Sequence, residues 1–255
     1  MIFLAVAAAF ALGSLVQTIA GFGSALIIMP ILTQFLGVQT AASVMALVGA
    51  TVTVAVLYQN WQGLQWREAA RLLSGSVIGI PLGTLALKLL PAAPVVAFLG
   101  VVLLAYGCYA LATARGAMIR PEKPEPASAS ALAENVTGSL VGFCAGLLGG
   151  AYATDGPPLV VYGSIKHWPK HSFRSILQAC FLVDGVLIVV CHGAGGLVTR
   201  DVFTYCLYGI PGMALGLVTG TLLDRRIDHA LFHRVLLWLI MVLGAALLAK
   251  AFLTP

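Results

Sequence analysis

Residues 149–159 read Gly149-Gly150-Ala151-Tyr152-Ala153-Thr154-Asp155-Gly156-Pro157-Pro158-Leu159, and residues 21–24 read Gly21-Phe22-Gly23-Ser24. Each stretch interrupts an apolar run. Residues 2–20 precede the first break and are long enough to span a bilayer, whereas residues 25–36 after it are too short to cross comfortably. Residues 132–149 precede the second break. A helix of about two to three turns is expected to start at Pro157-Pro158, because proline's missing N–H would be unpaired in a first turn anyway. A spanning helix takes about 20 apolar residues. How the two interrupted segments are counted therefore decides the fold.

The rest of the chain places these breaks in a membrane. Its 255 residues are 60% hydrophobic and 9% charged, with a mean hydropathy of +1.00. Soluble domains carry about 25% charged residues, so this chain lacks the side chains to cover a water-facing surface. An ordinary cytosolic enzyme, a nucleic-acid binder and a disordered protein are excluded. The expected partners are the lipid bilayer and a small solute; no nucleic acid is expected, and a homo-oligomer is compatible with the sequence. The net charge of +5 reads as cytoplasmic loops, not as an acidic partner. Met1–Ala11 lacks a basic n-region and reads as a retained first helix. The cysteines (Cys108, Cys144, Cys180, Cys191 and Cys206) fall singly inside apolar runs and read as buried small apolar residues. No metal set and no cofactor is expected.

Two halves echo each other. Gly75, Gly79 and Gly83 followed by Thr84-Leu85 reappear as Gly212, Gly216 and Gly220 followed by Thr221-Leu222. Gly63-Leu64 with Arg67-Glu68 is echoed by Gly196-Leu197 with Arg200-Asp201, and Ser14-Leu15-Val16 by Ser139-Leu140-Val141. Pro30 is matched to Pro157-Pro158. Residues 1–114 form a first repeat, residues 115–131, rich in Pro, Ala, Ser and charge, a linker, and residues 132–255 a second repeat, all within one structural domain. The glycine stripes read as surfaces for close helix contact.

Positive charge chooses the topology. If each interrupted segment crosses once, the basic residues divide evenly between the two sides. If each goes in and comes back, Arg67, Arg71, Arg115, Arg120, Lys123, Lys166, Lys170, Arg174, Arg225, Arg226 and Arg234 share one side, leaving Lys88, Arg200 and Lys250 on the other. The positive-inside rule asks for the second arrangement. It gives an odd number of legs per half and hence inverted halves. The predicted fold is an all-α polytopic membrane protein of two inverted-topology repeats, each an interrupted, re-entrant helix pair followed by three transmembrane helices. Both termini are then periplasmic and the linker cytoplasmic.

Inverted repeats with broken helices point to a secondary transporter with its site between the halves. A helix start exposes unpaired N–H groups and partial positive charge. Hydrocarbon satisfies neither, so such a break belongs against protein or a water-filled cavity. Helix starts at Ser24 and Pro157 approaching from opposite faces would make a cradle of N–H donors suited to an anion. Glycines let the backbone come close, and Ser24, Tyr152 and Thr154 can add hydroxyl donors.

Gln17-x-x-x-Gly21-Phe22-Gly23 with Pro30 downstream resembles the TauE/SafE sulfite-exporter family of anion permeases. So do Gly149-Gly150 with Thr154-x-Gly156-Pro157-Pro158-Leu159, and Phe173-Arg174 with Leu177-Gln178. The resemblance implies movement of small sulfur oxyanions or organosulfonates, such as sulfite, sulfoacetate or taurine-related compounds, and a bacterial inner-membrane location. One departure is Asp155, where the family usually has glycine. The candidate substrate-binding set is Gln17, Gly21, Phe22, Gly23, Ser24, Gly149, Gly150, Tyr152, Thr154, Gly156, Pro157, Arg174 and Gln178.

Few charges fall within the spans. Arg174 and Gln178 share a helix face; Arg174 reads either as a counter-charge for a sulfonate or as a cytoplasmic anchor. Asp184 is deep enough that ionisation is costly, and reads either as a structural hydrogen-bonding group or as a proton relay. Asp155 and Asp184 are the candidate coupling residues. A cation- or proton-coupled carrier of another small solute using these two acids is the rival reading. His192, beside glycines at a helix end, reads as solvated or capping. No nucleophile–base pair and no ATP-binding motif is present, so a transporter driven by a gradient is expected and an enzyme is not.

Overall fold

A computed structural model describes residues 2–60, 63–116, 131–224 and 229–253. Most of the linker, together with Arg120, Lys123, Arg225 and Arg226, lies outside the described residues. Those described form helices α1 (Ile2–Ala20), α2 (Ser24–Phe35), α3 (Val38–Asn60), α4 (Trp66–Leu89), α5 (Ala92–Gly116), α6 (Ala131–Tyr152), α7 (Gly156–Ile165), α8 (Lys170–Ala194), α9 (Arg200–Asp224) and α10 (His229–Leu253). Seven of them, namely α1, α4, α5, α6, α8, α9 and α10, contain stretches long and apolar enough to cross a bilayer. The protein is an all-helical polytopic membrane protein.

Both interruptions exist, the first where its glycines placed it; the second is shorter than expected, because α6 continues through Gly149-Gly150 to Tyr152 and leaves only residues 153–155 between the helices. α1 ends at Ala20 and α2 begins at Ser24, with Gly21 and Gly23 in left-handed backbone (φ 83° and 98°) that glycine adopts without strain. The second break uses Ala153 at φ 52° instead, a conformation that an L side chain adopts only at a cost. α2 and α7 have 12 and 10 residues, about 18 and 15 Å at the helical rise. Pro157 opens α7 as expected, whereas Pro30 lies inside α2, so the two prolines do not hold matching places.

The glycine stripes make the two closest helix pairs. A side chain begun at Gly75, Gly79 or Gly83 would overlap the α6 carbonyls of Ser139, Phe143 and Leu147. One begun at Gly212 or Gly216 would overlap those of Ala7 and Ala11 in α1. Exchanging α1–α5 for α6–α10 thus turns the α4–α6 contact into the α9–α1 contact, and it preserves the α3–α8 and α5–α10 pairs. The same packing corrects one sequence echo. Ala7, not Ser14, occupies the place of Ser139, about two helical turns earlier. A slip of two turns keeps every residue on its face, so the sequence pattern alone could not detect it.

α8 ties both breaks together. Residues 174, 178, 181, 185, 188 and 192 recur at alternating intervals of four and three, which puts them on one face of the helix. At one end Arg174 donates to the Ile19 carbonyl and pairs with Asp224 at 3.6 Å, while Gln178 Nε2 donates to the Gly21 carbonyl at 2.6 Å. At the other end His192 Nε2 donates to the Gly150 carbonyl at 2.8 Å. Its Nδ1 lies 3.1 Å from Ser43 Oγ. A carbonyl only accepts, so Nε2 carries the proton of the neutral ring and Nδ1 accepts from Ser43. Carbonyls left unpaired where α1 and α6 stop are thereby satisfied by one helix.

Two readings of single residues need correction. Of the two readings of His192, capping holds and solvation does not: it is fully buried under the last turn of α6, where it caps the Gly150 carbonyl. Cys108 and Cys144 are exposed on the apolar exterior, which hydrocarbon tolerates as well as the core does, while Cys180 is buried.

Charged contacts gather at the helix ends. Arg71 pairs with Glu68 and, at 3.1 Å, with Glu134, which Lys166 reaches at 3.0 Å, joining α4, α6 and the exit of α7. Lys250 of α10 donates to the Thr33 carbonyl of α2.

Two substitutions test this packing by thermal melting in detergent. Gly79→Leu forces α4 away from α6 and should destabilise by about 1–3 kcal/mol; an unchanged melting temperature would contradict the close contact. His192→Phe keeps the bulk but removes the shorter of two hydrogen bonds to the Gly150 carbonyl, leaving Thr84 Oγ1 at 3.4 Å, and should destabilise by about 0.5–1.5 kcal/mol. A His192→Phe protein as stable as the parent would show that the cap is idle.

Candidate functional site

The two helix starts meet at one cavity. It has a volume of about 60 Å³, against the roughly 10–15 Å³ that one water requires on the same measure. One wall is the first turn of α2, Ser24 to Leu26, with Gly23 before it. The opposite wall is the second break, Ala153 to Gly156, leading into α7. α3 and α8 close the sides, and Gln17 reaches in from the last turn of α1.

The donor groups differ between the walls. The first turn of α2 contains no proline, so Ser24, Ala25, Leu26 and Ile27 all keep the N–H groups that a helix start leaves unpaired. α7 begins Gly156-Pro157-Pro158-Leu159, and its prolines remove two of the corresponding four. Thr154 supplies a donor there instead. It is 1% exposed, it lines the cavity, and its Oγ1 has no hydrogen-bond partner among the described residues. Leaving a buried hydroxyl unpaired costs about 1–3 kcal/mol, so a ligand able to accept that bond would be favoured.

A neutral polar network holds the α1–α2 side. Ser24 Oγ donates to Gln17 Oε1, freeing the amide end of Gln17 for Thr53 Oγ1 at 3.3 Å and Gln178 Oε1 at 3.5 Å. Two acids stand on the α7 side. Asp155 is the residue before α7, but its side chain makes no capping hydrogen bond to the helix. It stands instead beside the Asp184 carboxyl, close enough for the two to interact. Asp184 Oδ1 also accepts from Ser76 Oγ of α4 at 2.6 Å.

The structure thus brings Gln17, Gly23, Ser24, Thr154, Asp155 and Gly156 to one lining. Other predicted residues support it from behind. Gln178 and Arg174 hold the end of α1, and the Arg174 guanidinium is engaged by Ile19 and Asp224 outside the lining. Gly21 makes room for Arg174, whose Cγ lies 2.9 Å from where a side chain would start. Gly150 packs against Ile80 of α4 and Gly149 beside Asp155. Phe22 is buried edge-to-face on Tyr106 (centroids 6.4 Å), and Pro157 is buried in the first turn of α7. Tyr152 points elsewhere, because its hydroxyl donates to the Val95 carbonyl of α5 at 2.7 Å.

Sequence reasoning missed the two side walls. Gly49, Ala50 and Thr53 of α3 and Phe181, Gly185 and Ile188 of α8 all line the cavity. The available signal was Thr53, a polar residue inside the apolar run 40–59.

The chain is 25% identical over 245 residues to a "Probable sulfite/organosulfonate exporter TauE" of Cupriavidus necator, covering 94% of this chain and 91% of that one. No solved structure matches the chain. The profile of the family described as "Sulfite exporter TauE/SafE" matches residues 5–247, so the chain belongs to that family of membrane transporters.

Proposed function

We propose that the chain is a secondary transporter of small anions, in particular sulfur oxyanions or organosulfonates such as sulfite, sulfoacetate and taurine-related compounds. The unpaired Thr154 hydroxyl in a cavity between two helix starts is the observation that carries this reading. Hydroxyl and backbone N–H donors converge there without a lysine or arginine in the lining. Such a cradle holds an anion weakly enough to release it on either side. The name of the Cupriavidus necator relative supports the substrate class.

Transport proceeds by rocking of two inverted halves, residues 1–114 and 132–255, around the cavity in a bacterial inner membrane. The exchange relation between α1–α9 and α6–α4 supports this division. So do the ionic cluster of Arg71, Glu68, Glu134 and Lys166 and the separate contact of Lys250 with α2. The first gathers residues assigned to the cytoplasmic side and the second a residue assigned to the periplasm. Glycine-lined contacts between the halves permit sliding without opening a void.

Two measurements test this. In proteoliposomes, labelled sulfite, thiosulfate, sulfoacetate or taurine should show saturable uptake that unlabelled competitors reduce. Thr154→Val should raise KM about tenfold, the loss of one hydrogen bond to a charged group. Saturable uptake of a cation and of no anion would reverse the assignment. Separately, single cysteines introduced at residues 117–130 should react with an impermeant thiol reagent only from the cytoplasmic side; labelling from the periplasm would overturn the inverted arrangement.

A further inference from the structure

The two acids beside the cavity remain unexplained by anion binding alone. Asp155 lines the cavity and Asp184 stands behind it, 8% and 1% exposed respectively. Their carboxyls face each other closely enough to interact, and a hydrogen bond between two carboxyls would need a proton on one of them. Ser76 fixes Asp184 from α4. Among the described residues, no ion pair reaches either acid. Two bare carboxylates in contact without a cation would repel strongly in this setting.

The groups around the pair are uncharged. From α8 the buried Cys180 thiol faces both acids. From α6, Gly149 stands beside Asp155, and a side chain there would begin 3.3 Å from Asp155 Cβ. Gln17, Ser24 and Thr53 on the other walls of the cavity carry no charge. His192, two turns beyond Asp184, has both ring nitrogens engaged by Gly150 and Ser43. Among the described residues, no other charged group acts on the pair.

Thr154 connects the pair to a ligand. Its unpaired hydroxyl, adjacent in sequence to Asp155 and on the same lining, calls for an acceptor in the cavity. An anion accepting that bond stands next to a carboxyl pair that, with one proton, still bears one negative charge. We propose that the Asp155–Asp184 pair takes up a second proton when the anion binds, so that one proton travels with each anion in the same direction. This rests on the anion reading above. The charge balance is simple: one proton enters, the pair becomes neutral, and the anion's charge is the only one left in the site. By linkage, a proton that favours anion binding is itself held more tightly once the anion is present. That reciprocity defines symport; antiport would need the anion to displace the proton.

The experiment uses the full-length protein in liposomes, with isethionate as probe because its sulfonate stays ionised over the whole pH range tested. An acidic exterior should drive isethionate accumulation above equilibrium, and a trapped pH dye should report internal acidification with one proton per anion. KM should fall about tenfold for each unit of acidification above the pH at which the pair titrates, the slope for one linked proton. Asp155→Asn and Asp184→Asn should each flatten this dependence and abolish the acidification. Saturable isethionate counterflow in the parent protein with no proton movement and a KM constant with pH overturns the proton inference alone. Absence of saturable counterflow for any of the anions overturns the anion reading and this inference with it.

Discussion

A helix that stops inside hydrocarbon strands backbone groups that have no water to turn to, and the rest of this molecule is arranged around that constraint. Two helices stop, α1 at Ala20 and α6 at Tyr152, and two begin nearby. The stranded carbonyls are met from one face of α8, by Arg174 and Gln178 at one break and His192 at the other. The stranded N–H groups are not used up in the same way. They line a small cavity with the Thr154 hydroxyl, and the same α8 face contributes Phe181, Gly185 and Ile188 to its wall. Carbonyls capped by protein and donors left to a cavity are the arrangement behind the proposed preference for negative charge. α8 therefore positions both breaks and shapes the space between them.

The site is polar but sparingly charged. Arg174 carries the one positive charge that sequence pattern brought close to the motif, and the structure gives it to a carbonyl and to Asp224. This fits a carrier better than a tight binder. A buried guanidinium paired with an anion would deepen the bound state and slow release, whereas N–H and hydroxyl donors give moderate affinity. Asp155 gives the second break a side chain where the first break has Gly23, since both residues immediately precede a short helix. The two walls of the cavity are therefore chemically unlike although they are built alike. One is a neutral hydrogen-bond network through Gln17, and the other a carboxyl pair anchored on Ser76.

Much of this was legible in the sequence because the signals were local. Gly21, Gly23 and Pro157 break helices through backbone geometry that any reader can apply, so both breaks were legible, although α6 runs on through Gly149-Gly150 to Tyr152. The stripes at Gly75–Gly83 and Gly212–Gly220 announced close packing, though not which helices they meet. What failed was long-range or periodic. Ser14 and Ser139 look equivalent, but packing matches Ser139 with Ala7, because a two-turn slip leaves the faces unchanged. His192 sits near a helix end in sequence, yet the tertiary approach of α6 buries it. Tyr152 lies within the motif, but its ring leaves the break on the side of α5. Thr53, Gly49 and Gly185 line the cavity through helix pairing that no local pattern reports.

The central claim is that an anion sits between the starts of α2 and α7. The most direct measurement is a crystal structure of the full-length protein grown with selenite, whose selenium marks an oxyanion by anomalous scattering. The account predicts an anomalous peak inside the cavity, with oxygens within hydrogen-bond distance of Thr154 Oγ1 and of backbone N–H groups in the first turn of α2. An empty or cation-filled cavity, with selenium bound instead at the basic ends around Arg71 and Lys166, would contradict it.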